Sequence, residues 1–253
     1  MHLHGAGCHI KIVIENMSLN KLKKDLRERS SPEYAKNLSW FFKTGPGEYG
    51  EGDVFLGVKM GDIRQAARHN KDLAATDLAK LLDSKYHEER MIALVIMDLQ
   101  FKRGDDAKKT EIKNLYEQKM DRVNNWDLVD QSACRVYGEW FRVMGRDPLP
   151  TLRKLAKSRS MWRRRIAMLS TLTYISHGQF AEALEIADLL RHDKEDLIHK
   201  AVGWLLREIG KRDLPSEENF LLPRYKEMPR TMLRYAIERF PEMKRQRYLK
   251  GLM

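Results

Sequence analysis

Cysteine is nearly missing from this chain: only Cys8 and Cys134 occur in 253 residues. Two thiols exclude a disulfide framework and a cysteine-based zinc site, and they fit a reducing cytoplasm. There is no run of about 18 apolar residues, so no membrane-spanning helix is expected. The amino terminus has neither the charged start nor the long apolar centre of a signal peptide. Long polar–apolar alternation is absent as well, which argues against a β fold. The chain contains no His-Glu-x-x-His, no Gly-x-Ser-x-Gly and no phosphate-binding Walker loop. Its histidines are scattered, and none past residue 9 has metal-ligand spacing with another. No metal or cofactor is implied.

What the chain does have is positive charge. Lys plus Arg number 47 against 36 Asp plus Glu, a net charge of +11. Such an excess points to a polyanionic partner, either nucleic acid or an acidic membrane surface. The hydrophobic share of 42% is ordinary for a folded domain and too high for disorder. The length suits one large domain.

Residues 1–16, which include His2, His4, Cys8 and His9, do not match the helical pattern of the remaining chain. They read as a loose extension ahead of a more natural start at Met17, with Ile12, Val13 and Ile14 as a short strand lacking a partner. From residue 17 to 253 the chain reads as a single domain, helical almost throughout. Helices are predicted at 19–29, 32–43, 60–69, 75–83, 87–101, 105–120, 126–144, 150–158, 161–176, 179–190, 194–210, 217–225 and 229–240. The tail 243–250 is basic and is expected to fray. The loop 44–53 contains Gly45, Gly47 and Gly50 at dinucleotide-fingerprint spacing. No strand precedes it, and its acids would repel a pyrophosphate, so its glycines are assigned to turns.

A weak repeat runs beneath the helices. Arg165-Ile166-Ala167, Lys200-Ala201-Val202 and Arg234-Tyr235-Ala236 begin at 165, 200 and 234. Stepping back at a similar pitch reaches Leu128, then Met91. Helix pairs recurring at a pitch in the mid-thirties predict an all-α fold, an α-α superhelix (solenoid) with a concave, basic groove. In this register Trp126, Asp130, Arg165, Lys200 and Arg234 fall near one another.

Several of these residues could carry chemistry. Trp126 and Asp130 stand at i and i+4, hence on one helix face, behind an Asn124–Asn125 capping signal. Residues 153–165 hold seven basic side chains and no acid, among them Arg163, Arg164 and Arg165. That run is a candidate phosphate ridge, although a solvated helix face looks the same in sequence. Lys200, Trp204 and Arg207 share a face by their spacing. Gly203 inside that helix implies close approach, by another helix or by a ligand backbone. Each Trp taken singly is more commonly an interior aromatic. The core stripe of 126–144 is predicted as Val129, Ala133, Val136, Trp140 and Met144, with Asp130 at its edge. Cys134 has no histidine near it in sequence and reads as structural.

Four elements together resemble the DNA alkylation repair enzyme family, the AlkD-like DNA glycosylases built from HEAT-like repeats. They are Asn125-Trp126-Asp127-Leu128-Val129-Asp130, Trp162-Arg163-Arg164-Arg165-Ile166-Ala167, Lys200 through Glu208, and Phe55-Leu56-Gly57-Val58-Lys59. The resemblance spans about residues 19–240. It implies a monofunctional DNA glycosylase that excises positively charged N3- and N7-alkylated purines, of the 3-methyladenine and 7-methylguanine type, in base excision repair. It implies Asp130 as the catalytic aspartate, Trp126 and Trp204 as lesion contacts, and Arg165 as a backbone-binding residue. Arg163, Arg164, Lys200 and Arg207 would add DNA contacts. A further aromatic contact falls at Phe41 or Trp40. The expected partner is double-stranded DNA carrying alkylated purines, bound in an open groove by a cytoplasmic monomer with no obligate protein partner. The rival readings are a non-catalytic HEAT-like DNA-binding protein and a protein-binding α-solenoid scaffold.

Overall fold

The computed structural model describes residues 19–253. The extension at 1–16 and its short strand lie outside the described residues. Helices α1 (Leu19–Glu28), α2 (Pro32–Phe41), α3 (Met60–His69) and α4 (Ala75–Leu82) open the chain. The long α5 (His87–Arg103) and α6 (Asp106–Gln118) come next, and then α7 (Trp126–Ser132). A π-helical stretch, Ala133–Gly138, joins α7 to α8 (Glu139–Val143). Beyond it lie α9 (Leu149–Ala156), α10 (Met161–Ser170), α11 (Leu172–Ser176), α12 (Ala181–Leu190) and α13 (Asp196–Gly210). The chain closes with α14 (Leu214–Leu221), α15 (Arg230–Ala236) and α16 (Glu242–Lys250).

The repeat read from the sequence becomes a layer of helices. Its positions at 91, 128, 165, 200 and 234 lie on α5, α7, α10, α13 and α15, which pack side by side in chain order. Helices α4 and α6 back onto α5, α9 and α12 onto α10, and α12 and α14 onto α13. Apolar residues fill each junction: Leu128, Ile166, Ala167, Ala201, Val202 and Ala236 are all fully buried. The α-α superhelix expected from the repeat is therefore present.

Two predicted segments differ from the structure. The helix expected at 161–176 breaks at Thr171, whose hydroxyl donates to the Met168 carbonyl at 2.7 Å. The basic tail is not loose: it forms α16, because Tyr248 is buried against the rings of Tyr225 and Phe240 at 5.2 and 5.5 Å.

The predicted core stripe also changes course. Val129, Ala133 and Val136 are buried as expected, but Tyr137 and Phe141 then take the buried places assigned to Trp140 and Met144. The π-helical turn inserts an extra residue and so rotates the helix beyond it. It lies where α10 presses closest, since a side-chain carbon at Gly138 would stand 2.1 Å from the Ser170 carbonyl oxygen.

The start of α5 gathers the amino-terminal elements. His87, Glu88, Glu89 and Arg90 are consecutive, and all are buried. Each reaches a different partner set. His87 lies between Asp53 and Asp127. Glu88 accepts the backbone N–H groups of Leu56, Gly57 and Val58 at 2.9, 2.8 and 3.2 Å. Glu89 pairs with Lys23 and Arg27 of α1 at 2.8 and 3.2 Å. Arg90 donates to Asp53 and to the carbonyls of Ser84 and Lys85.

Gly203 is explained by helix packing. A side-chain carbon there would lie 2.4 Å from the Met232 carbonyl oxygen and 2.5 Å from Tyr235 Cβ, both on α15. Gly203→Ala is expected to overpack this junction and to destabilise the fold by about 1–3 kcal/mol, measured by urea unfolding.

Candidate active site

The segment before α7 is held by a side-chain cap. Asn125 is fully buried, and its Oδ1 accepts the Trp126 backbone N–H at 2.8 Å. Its Nδ2 donates to Asp53 at 2.9 Å. From this start α7 projects Trp126 and Asp130 on one face, both half-buried. They line a recess of about 750 Å³ beneath α2, together with Tyr34, Phe41, Phe55 and Met91.

Asp130 is not a lone acid. The Arg165 guanidinium donates to it three times, Nε and Nη2 to Oδ1 at 3.0 and 2.9 Å and Nη2 to Oδ2 at 3.0 Å. Arg165 Nη1 donates to the Leu197 carbonyl at 2.6 Å. The Arg165 side chain is 5% exposed and that of Asp130 23%. Burial raises the Asp130 carboxyl above its ordinary value, Arg165 partly offsets that, and the nearby Asp127 charge adds to the rise. The family resemblance assigns Arg165 to a phosphate. In the structure its guanidinium contacts the acid of its own site and a neighbouring helix.

The other expected DNA contacts are also paired. Arg163 forms a two-pronged contact with Asp121 at 2.8 and 2.9 Å, and Arg164 one with Asp193 at 2.6 and 3.2 Å. Lys200 pairs with Asp196 at 2.7 Å, and Arg207 with Glu238. Exposed cations with no such partner include Lys154, Lys157 and Arg159 in the same basic run, and Arg234 on α15. Trp204 packs partly against the core and donates from its indole to Glu208 at 3.3 Å. The rings packed against Trp126 belong to α2 and its end: Phe42 is stacked at 5.2 Å and Phe41 meets it edge-on at 6.0 Å. Of the two candidates at the amino-terminal aromatic position, Phe41 is thus the one against Trp126. Trp40 stands 83% exposed on the recess rim.

Sequence reasoning missed the groups behind Trp126. Phe42 is buried and stacked at 5.2 Å on both Phe55 and Trp126, and it lies 5.2 Å from the His87 ring. His87 stacks on Phe55 at 4.6 Å. Its Nδ1 is 3.0 Å from Asp53 and its Nε2 is 2.8 Å from Asp127. Burial alone would lower its basicity, but the hydrogen bonds and charges of Asp127 and Asp53 outweigh this and hold it at about 9. Burial works to raise the Asp53 carboxyl, yet His87, Arg90 and Asn125 bring it below its ordinary value. No spacing rule could have found this cluster. Its members come from four separate stretches, and only Asn125 and Asp127 belong to the motif around Trp126 and Asp130.

The glycine loop 44–53 is also part of the site. Its acids are used locally: Glu48 accepts the Gly45 N–H at 2.9 Å and Glu51 the Gly47 N–H at 3.0 Å. Donors that a pyrophosphate would need are therefore engaged. Tyr49 leaves the loop to meet Trp162 of α10 edge-on at 6.2 Å. Its hydroxyl is also influenced by Trp126 and Lys200. The loop therefore lies against the face that carries Asp130. Cys134 is half-buried, and burial pushes its thiol up to about 12, consistent with an unreactive side chain. Among the described residues there is no cluster of three or more His, Cys, Asp or Glu placed to hold a metal, and no helix long and apolar enough to cross a membrane.

Fold and site together define a helical-repeat protein with an acid–arginine pair and an aromatic cluster at its middle. The chain belongs to the DNA alkylation repair enzyme family, whose model matches residues 22–240. Among solved structures it is similar to a "predicted DNA alkylation repair enzyme" from Enterococcus faecalis. That match has 19% identity and a TM-score of 0.66, and covers 85% of this chain and 98% of the other. It is similar also to AlkD2 from Streptococcus mutans, at 19% identity and a TM-score of 0.52, covering 87% and 96% of the two chains. At these identities the likeness is one of fold. No curated protein matches the sequence.

Phe42→Ala is expected to empty the space between Phe55 and Trp126. The loss should be about 3–5 kcal/mol in urea unfolding, with an altered tryptophan emission in the folded protein.

Proposed function

We propose that this protein hydrolyses the N-glycosidic bond of positively charged N3- and N7-alkylated purines in duplex DNA. The observation that carries the reading is the half-buried Asp130 carboxylate, fixed by Arg165 and set beside Trp126 at the mouth of an aromatic recess.

Alkylation at N3 or N7 leaves the base cationic and its bond to C1′ weakened. As that bond breaks, its electron pair passes to the base, which departs neutral, and positive charge appears on the sugar. Asp130 would oppose that charge and orient a water toward C1′. The water's proton passes to Asp130 and then to solvent. Trp126, with Trp204 from α13, supplies π faces to the cation. Arg165 acts first as the partner that keeps a desolvated Asp130 oriented. Arg163, Arg164, Lys200 and Arg207 would meet phosphates by exchanging their present carboxylate partners. Phe41 would contact the nucleotide by stacking. The double-stranded DNA is bound by a monomer, without cofactor, in the cytoplasm.

The pairing of these cations favours, as a second reading, an α-solenoid scaffold that binds protein rather than DNA. Base release from methylated duplex DNA separates the two. Wild type should release methylated purines, and Asp130→Asn should do so about a hundredfold more slowly or worse. Equal rates would remove Asp130 from the chemistry, and an absence of DNA binding would favour the scaffold.

Arg165→Gln tests the pair. Ionised Asp130 is the active form, so activity falls as pH drops through its pKa. Arg165 holds that value down against burial. The variant should therefore lose activity at a pH higher than wild type does, by about one pH unit or more in the pH–rate profile.

A further inference from the structure

We propose that His87 is a positioning residue for the Asp130 site: clamped between Asp53 and Asp127, it ties the Tyr49 loop to the first turn of the helix that carries Trp126 and Asp130. This inference rests on the reading of Asp130 as the group that opposes the sugar cation, and it assigns His87 no contact with substrate.

The geometry fixes the state of the imidazole. Both ring nitrogens face carboxylate oxygens, at 3.0 and 2.8 Å. An ionised carboxylate only accepts hydrogen bonds, so two such neighbours require an N–H on each nitrogen. Asp53 is surrounded by donors, from Arg90 and Asn125 as well as His87, and is ionised. The ring is therefore an imidazolium. It packs against the rings of Phe55 and Phe42, which also stack on each other, and aromatic faces beside it favour a cation.

Every element packed on His87 contributes to this balance. Segment 53–58 supplies Asp53 and Phe55, the end of α2 supplies Phe42, and α7 with its cap supplies Asp127 and Asn125. Helix α5 itself supplies Arg90 and Glu88, the latter committed to the backbone of 56–58. Arg122 adds a positive field on Arg90. Asp53 ends the loop that carries Tyr49, and Asp127 adjoins Trp126 directly. One proton on His87 thus joins the two segments that meet at the site, and Phe42, packed against Phe55, His87 and Trp126 alike, carries the same joint to the indole. When that proton is lost, one carboxylate faces a ring lone pair and the joint opens.

The test is a pH titration of the full-length protein. The His87 imidazole is followed by nuclear magnetic resonance, with His87→Gln used for assignment, and tryptophan emission is followed in parallel. In wild type the two should change together near pH 9, and base release relative to its neutral value should fall over the same range. Asp127→Asn is the informative variant, because it keeps an acceptor oxygen and removes only the charge. It should bring all three transitions down by about one pH unit or more. A merely structural role would let the imidazole titration move with the lost charge while tryptophan emission and base release stay where wild type has them. That result, or a wild-type His87 that titrates at its ordinary value, overturns the proposal. The two readings fail separately. Moving resonances in a protein that releases no base would retain the clamp and remove the glycosylase assignment. Base release with an alkaline limb unmoved by Asp127→Asn would do the reverse.

Discussion

Four consecutive buried polar side chains at the head of α5 are the constraint on which the amino-terminal half depends. A buried charge is costly unless it is paired and hydrogen-bonded. His87 pairs with the end of the glycine loop and the start of α7, Glu88 with the backbone of 56–58 and Glu89 with helix α1, while Arg90 reaches the turn before α5 and shares Asp53 with His87. None of those stretches can move away without leaving a charge stranded in the interior. Helix α5 therefore acts as a fixed post. The position of Trp126, and with it the orientation of Asp130, depends on how that post is dressed.

The charge count of the chain gives little idea of how its charges are used. Arg153 pairs with Glu185, Arg164 with Asp193, Arg165 with Asp130 and Arg207 with Glu238. Their separations of 32, 29, 35 and 31 residues are all close to one repeat. A stacked repeat places its neighbour about that far away along the chain, so cations on one helix meet acids on the next. A run such as 153–165 looks unopposed in sequence because its counter-charges are one repeat distant. The arrangement also gives Asp130 its character. A carboxylate taken partly out of water beside a guanidinium is oriented before any substrate arrives. A cation appearing in the recess would then share an anion already in place.

The legible and illegible parts of the molecule divide along the same line. The superhelix could be read because small and apolar residues recur at one pitch, and burial of those residues is what joins α5, α7, α10, α13 and α15. The facing of Trp126 and Asp130 could be read because it depends only on helical spacing. The His87 cluster could not, since it is assembled from residues tens of positions apart. Nor could the path of the glycine loop, whose Tyr49 crosses to Trp162. The stripe along 126–144 is legible only as far as Val136. The π-helical turn that contains it, Ala133–Gly138, is invisible to a pattern of 3.6 residues and exchanges Trp140 and Met144 for Tyr137 and Phe141.

That turn also divides one continuous helix into two rotational frames. The half before it faces the recess, and the half after it is locked into the core by Phe141, with Tyr137 buried in the turn itself. The extra residue works like a washer between them and sets the angle at which one half stands to the other. Substitutions in either half leave that angle alone, whereas the loss of a single residue from 133–138 would swing Asp130 by about 100° relative to the core-facing half. The orientation of the site is thus set by a count of backbone residues as well as by the side chains around it.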